Sequence, residues 1–179
     1  KIDFLKIDID SFDCAMARAA LREARPKAVW IEINAGVPPP IRFARQWHPD
    51  LFKAVMLSMK WQRYPSTMGC SLSAAVALFR EEGYGLYGSD GLDVVFMRDD
   101  LGPLVRGLGV DEFLCYREML DSRSVVTFIS TDLVVDWIYA SLVAVEAASP
   151  HDVLQRIWCN FTIHDFLLGL TGMPFTLGV

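Results

Sequence analysis

Positive charge is in short supply: 17 Lys and Arg stand against 22 Asp and Glu in 179 residues, leaving a net charge of -5. The basic residues are also scattered, whereas holding a phosphate backbone takes clustered Lys and Arg, so no nucleic-acid partner is expected. No apolar run is long enough to span a bilayer. The nearest, "VVTFISTDLVVDWIYASLVAVEAA", is interrupted by Asp132, Asp136 and Glu146, each costly at membrane depth, and reads as a buried amphipathic helix. No membrane partner is expected either. The four cysteines, Cys14, Cys70, Cys115 and Cys159, form no C-x-x-C pair. Their wide spacing points to neither a zinc site nor a disulfide framework, and predicts reduced, buried thiols in a cytoplasmic protein. Asn160-Phe161-Thr162 matches the N-glycosylation triplet, a pattern that chance supplies often, and is set aside. The chain opens at Lys1 and enters a strand-like run almost at once, which predicts a further portion upstream.

What is present is ample apolar material, 53% hydrophobic and 12% aromatic residues, enough for one globular core. Residues Phe4 to Ile9 predict a strand, and "SFDCAMARAALREAR" is helix-favouring up to Pro26. "KAVWIEIN" predicts a second strand. Strand, helix and strand over this span form a βαβ unit with parallel pairing, so the fold class is α/β. "AGVPPPIRFARQWHPD" reads as a loop, because its three prolines fix φ and remove backbone donors. "SLSAAVALFREEG" has helical spacing, with Ser71 or Ser73 as N-cap and Gly83 closing it. "YGLYG" and "LDVVFMR", joined by Ser89-Asp90-Gly91, predict an antiparallel hairpin that closes the sheet. Two units are expected, an α/β half-domain over 1–110 and a helical extension over 111–179, the latter including a helix that starts at Ser149-Pro150.

Gly83-Tyr84-Gly85-Leu86-Tyr87-Gly88 matches G-x-G-x-x-G, the dinucleotide fingerprint. That motif works when it follows a strand and opens a helix, so that the helix N-terminus meets the pyrophosphate. Here it follows a helix and enters a strand, which predicts a helix cap and a glycine-rich strand.

The acidic residues carry more. In open α/β sheets, ligands bind beyond the carboxyl ends of the strands. Asp8 and Asp10 lie at that end of the first predicted strand, Glu32 and Asn34 at that end of the second. If the strands are neighbours, four oxygen-bearing side chains converge into a cradle for a hard divalent cation or for a hydroxyl to be deprotonated. Asp8 and Asp10 are the catalytic candidates. Glu32 and Asn34 are substrate-binding candidates and, with the two aspartates, candidate metal ligands. His48, which comes after the proline loop, is a further substrate-binding candidate; His151 and His164 are isolated. The competing explanation is a half-exposed edge strand, with Asp10 or Ser11 capping the helix after it, Asp13 complementing its dipole, and Lys6 paired to a neighbouring carboxylate.

"FLKIDIDSFDCAMARAAL", "RPKAVWIEIN", a helix ending in "GY" and a hairpin ending in "LDVVFMR" together resemble the C-terminal half of the FkbM-type S-adenosylmethionine-dependent methyltransferases. Members carry a strand reading K-I-D followed by an acid, a glycine and a second acid. Lys6, Ile7 and Asp8 match the K-I-D, Asp10 takes the next acidic place and Asp13 the second acid, while Ser11 stands where the glycine is usual. The resemblance runs from about Ile2 to Asp100. It implies a partial Rossmann-like class I methyltransferase sheet, parallel strands plus a terminal antiparallel hairpin. The implied activity is S-adenosylmethionine-dependent O-methylation of a hydroxyl on a small molecule or sugar. It also implies that the glycine-rich cofactor loop lies outside this chain, whose first strand corresponds to a middle strand of the family.

Two other readings remain open on the residues. "FLKID" also resembles the L-K-I-D strand of EAL-type metal-dependent cyclic-dinucleotide phosphodiesterases, a barrel family that needs a later E-G-V-E-like strand. The non-enzymatic reading is a structural or interaction module, a half-sheet whose helical tail covers the exposed edge or which pairs with another subunit there to form a homo-oligomer.

Overall fold

In the computed structural model, which describes residues 2–50, 53, 69–121 and 175–178, the opening alternation becomes strand β1, Phe4–Ile7. Ile7 is buried and Leu5 half-buried, whereas Phe4 and Lys6 are exposed. The strand stops two residues short of the predicted Ile9. Asp10 adopts a left-handed backbone with φ of 55°, a conformation that an extended strand cannot contain. The chain then enters α1, Asp13–Glu23, which buries Cys14, Ala17 and Leu21 and ends ahead of Pro26, the residue that cannot continue it. Strand β2, Ala28–Glu32, returns parallel to β1, with Phe4 opposite Ala28 and Ile7 opposite Ile31. This is the expected βαβ unit.

The hairpin is also as expected: β4, Tyr84–Asp90, and β5, Asp93–Arg98, are antiparallel, with Gly91 in the turn at φ 65°, the left-handed region where glycine costs least. The hairpin folds back so that its second strand, not its first, lies against β2. Ala28 pairs with Met97 and Glu32 with Asp93. The resulting four-stranded sheet has the order β1-β2-β5-β4 and mixes parallel with antiparallel ladders. The class is therefore α/β.

Helix α2, Leu72–Glu81, lies against one face of this sheet and buries Leu72, Ala75, Val76, Leu78 and Phe79. Of the two serines offered as its cap, Ser71 takes the role, its hydroxyl accepting the Ala74 N–H at 3.2 Å. Gly83 closes the helix at φ 78°. Phe79 stacks on Phe96 with ring centroids 4.1 Å apart and meets Tyr84 edge-on at 5.9 Å. A large buried aromatic of this kind contributes about 3–5 kcal/mol over alanine, since truncation loses both the transfer energy and the packing.

Three expectations need correction. The segment after the prolines is not all loop: Arg42–Arg45 forms strand β3 and pairs antiparallel with β6, Phe175–Gly178. Proline restrains the backbone only as far as Pro40, and the partner comes from the other end of the chain, out of reach of any local pattern. For the same reason the region after residue 111 is not helical throughout. It begins with α3, Glu112–Asp121, whose Cys115, Tyr116 and Met119 are buried in the same cluster as the sheet. The Tyr116 hydroxyl donates to the Ala35 carbonyl at 2.6 Å.

The third correction concerns the thiols. Cys14 and Cys70 are not reduced but form a disulfide, with Cα atoms 5.9 Å apart and a sequence separation of 56. Spacing along the chain does not report that the first turn of α1 meets the residue just before the cap of α2, so the cysteines no longer favour a cytoplasmic location. Cys115 is free and buried. Among the described residues no helix is long and apolar enough to cross a membrane. Cys159, the helices read over 125–148 and from Ser149, His151, His164 and the Asn160 triplet lie outside the described residues.

Candidate functional site

Because β1 and β2 are parallel neighbours, their carboxyl ends open at one edge of the sheet, where α/β folds place ligands. Strand β1 runs into a tight loop shaped from within by Asp13. This carboxylate is fully buried, with Oδ1 accepting the Ile9 N–H at 3.0 Å and Oδ2 the Ser11 N–H at 3.1 Å. Burial pushes the Asp13 carboxyl up, and the bonds from Ile9 and Ser11 pull it back. The Ser11 carbonyl in turn accepts the Gly69 N–H at 2.6 Å. The loop is thus tied both to the helix behind it and to the strand-like segment beside it, and Asp10 is held in its left-handed conformation.

This loop brings Asp8 and Asp10 to Glu32, the last residue of β2. One carboxylate oxygen from each lies within 4.8 Å of the others. Asp8 is exposed, whereas Asp10 and Glu32 are half-buried. Glu32 Oε2 is buried and has no hydrogen-bond partner. Burial pushes the Glu32 carboxyl up to about 8, and the negative charges of Asp10, Asp8, Asp13 and Asp93 add to the effect. Like charges at close quarters cannot all ionise cheaply, so the site either retains a proton or takes a cation. Lys6 answers part of this charge from the open side, with Nζ 3.0 Å from Asp8 and 3.7 Å from Asp93. Its ammonium is held above its ordinary range chiefly by the hydrogen bond to Asp8. Lys6 is therefore a paired lysine, as the sequence predicts.

Of the sequence candidates, Asp8, Asp10 and Glu32 come together. Asn34 is buried in the wall behind them. Its Oδ1 accepts the Gly36 N–H at 3.0 Å, its backbone N–H donates to the Cys70 carbonyl at 2.8 Å, and a Cβ built on Gly69 would lie 3.9 Å from its own Cβ and 3.8 Å from Asp13 Oδ2. His48 is engaged in its own turn, where Nδ1 accepts the Asp50 N–H at 3.2 Å. The three-carboxylate group forms without it.

Two contributors escape sequence reasoning. Asp13 reads as a helix-dipole residue, although an acid three places after an acid in a short strand-to-helix loop is a usable signal for a side chain that ties the loop. Asp93 sits across from Glu32 in the β2–β5 register and adds a fourth negative charge, with a buried, unpartnered Oδ1. No local pattern could place it there, because its position depends on which hairpin strand docks against β2. Comparison of the chain with protein-family models, curated proteins and solved structures finds no match.

Proposed function

We propose that this chain is a methyltransferase-like α/β unit that binds a hydroxyl-bearing small molecule or sugar at the Asp8–Asp10–Glu32 group, with a divalent cation as part of the site. The observation that carries the reading is the convergence of the three carboxylates within 4.8 Å at the carboxyl ends of two parallel strands. The donor set suits a hard cation, which takes carboxylate oxygens and needs no thiol or imidazole. The orphaned, buried Glu32 Oε2 is the atom most in need of such a partner.

The roles derive from the environment of each group. Asp8 and Asp10 bring anionic oxygens from a loop whose shape Asp13 sets. Glu32, pushed up to about 8 without a cation, would release its proton on taking one and then serve as a ligand. A bound divalent cation would offset the crowded negative charge and acidify a hydroxyl placed against it. Support for the methyltransferase frame comes from the parallel β1–β2 pair followed by an antiparallel hairpin, the arrangement that the K-I-D resemblance implies. S-adenosylmethionine is the methyl donor implied with it. The run Gly83–Gly88 closes α2 and enters β4, so it does not open a helix as a dinucleotide loop would.

Calorimetric titration with Mn²⁺ tests the site. Saturable binding is expected, tighter and with less proton release above pH 8 than below it, and weakened by about tenfold or more in Glu32→Gln and Asp10→Asn. Absence of saturation at millimolar Mn²⁺ would remove the cation from the reading. Titration with S-adenosylmethionine tests the frame separately: no heat at millimolar cofactor counts against methyl transfer by this chain.

A further inference from the structure

The two halves of the Cys14–Cys70 disulfide are enclosed unequally. Cys70 is fully buried, whereas Cys14 keeps 6% of its surface and forms part of the wall of a cavity of about 280 Å³ between α1 and α2. Four alanines, Ala15, Ala19, Ala44 and Ala74, also line the cavity, and their short side chains leave space that bulkier residues would close. A small thiol entering there meets the Cys14 side of the bond first, and access governs which sulfur is attacked.

What the bond fastens is the segment around Cys70. The Gly69 N–H donates to the Ser11 carbonyl at 2.6 Å, the Gly69 carbonyl accepts the Arg45 N–H at 2.9 Å, and the Cys70 carbonyl accepts the Asn34 N–H at 2.8 Å. The disulfide ties this same segment to Cys14, next to Asp13, whose carboxylate shapes the loop that carries Asp8 and Asp10. The helices have other anchors: α1 buries Ala17 and Leu21, α2 buries Leu72, Ala75 and Phe79, all in one apolar cluster, and α2 keeps its Ser71 cap. Breaking the bond therefore loosens the loop and the Asn34 wall before it loosens the fold. We propose that Cys14–Cys70 is a redox-sensitive clamp, opened by a small-molecule thiol at Cys14, that controls the geometry of the Asp8–Asp10–Glu32 group. Its consequence for cation binding rests on the function proposed above; its effect on the loop does not. In the first step a thiolate attacks Cys14 Sγ, the S–S bond breaks, and its electron pair leaves on Cys70 Sγ, which takes up a proton. A second thiolate attacks the sulfur brought by the first, so that Cys14 leaves and is protonated while the two thiols depart joined as a disulfide. Two electrons pass to the protein, and one disulfide is exchanged for another.

2-Mercaptoethanol added to the oxidised full chain and quenched with acid tests the route. Peptide mapping by mass spectrometry is expected to find the mixed disulfide on Cys14 about tenfold or more in excess of Cys70. The chain is then reduced completely with a phosphine and freed of it before further measurement. Circular dichroism should show the secondary structure retained, while the Gly69 and Asn34 amides exchange their hydrogens about tenfold or more faster. Mn²⁺ affinity should fall by about fivefold or more. Cys14→Ala/Cys70→Ala should reproduce the reduced state and ignore reductant. Equal attack at both cysteines, unfolding of the whole chain on reduction, amide exchange unmoved by reduction, or an Mn²⁺ affinity of the oxidised chain that reduction leaves unchanged would each overturn the proposal. An oxidised chain that binds no Mn²⁺ overturns the cation reading instead, and amide exchange then decides the clamp by itself.

Discussion

The carboxylate of Asp13 accepts the backbone N–H of Ser11 at 3.1 Å, reaching back from the first turn of α1 into the loop after β1. Together with the bond from Ile9, it satisfies two donors that would otherwise be buried without partners. Asp13→Ala should therefore destabilise the chain by about 2–4 kcal/mol, from the desolvation cost of two orphaned N–H groups. Asp13→Asn, which keeps one acceptor oxygen, should cost less. Urea denaturation of both variants measures the order, and equal stability of Asp13→Ala and wild type would contradict the assigned role.

Glu32 makes stability depend on pH in a defined direction. Its folded value, about 8, is above the ordinary 4.5, so between those limits the folded chain holds a proton that the unfolded chain gives up. Its contribution is fully present below about pH 4.5 and is lost as pH rises through about 8. Glu32→Gln mimics the protonated form and should flatten this decline. The variant is expected to exceed wild type above that range by on the order of 2 kcal/mol, a figure discounted for partial exposure. Denaturation midpoints across the pH range check it.

Asp10 offers a separation of stability from binding. It stands at φ 55°, where glycine is the least strained residue. Asp10→Gly should therefore hold or raise stability, by up to about 1 kcal/mol, while removing one of the three converging carboxylates. Mn²⁺ affinity should fall by about tenfold or more, and the Glu32 carboxyl should titrate lower, having lost the like charge that acts on it most strongly. A variant that is both less stable and unchanged in Mn²⁺ affinity would sink this assignment.

The Cys14–Cys70 disulfide closes a span of 56 residues. The chain-entropy model attaches a stabilisation of about 4 kcal/mol to a loop of this length. Cys14 adjoins Asp13, and the Cys70 carbonyl holds the Asn34 N–H, so the bond also fastens the wall behind the carboxylates. Cys14→Ala/Cys70→Ala, or reductant added to wild type, should lower the denaturation midpoint accordingly. Thiol counting by mass spectrometry under non-reducing conditions checks the pairing itself.

How much of the fold is legible in the sequence depends on the distance over which each feature is determined. The βαβ unit, the Ser71 cap, the Gly83 stop and the hairpin turn at Gly91 are consequences of residues a few positions apart, where propensity, capping and backbone sterics act directly. The meeting of Asp8 and Asp10 with Glu32 is also legible, because a βαβ crossover brings the carboxyl ends of its strands to one edge. The strand Arg42–Arg45, the Cys14–Cys70 bond and the arrival of Asp93 beside Glu32 are not. Each needs a partner from elsewhere in the chain, and only packing selects it.

Sequence alone therefore determined the class of the fold and the address of the acidic group, since both rest on local periodicity and on the geometry of a parallel crossover. Tertiary structure decided the state of that group. The proton on Glu32 is a property of burial and of four negative charges drawn from a loop, a helix start and a neighbouring strand, and no one of those segments encodes it.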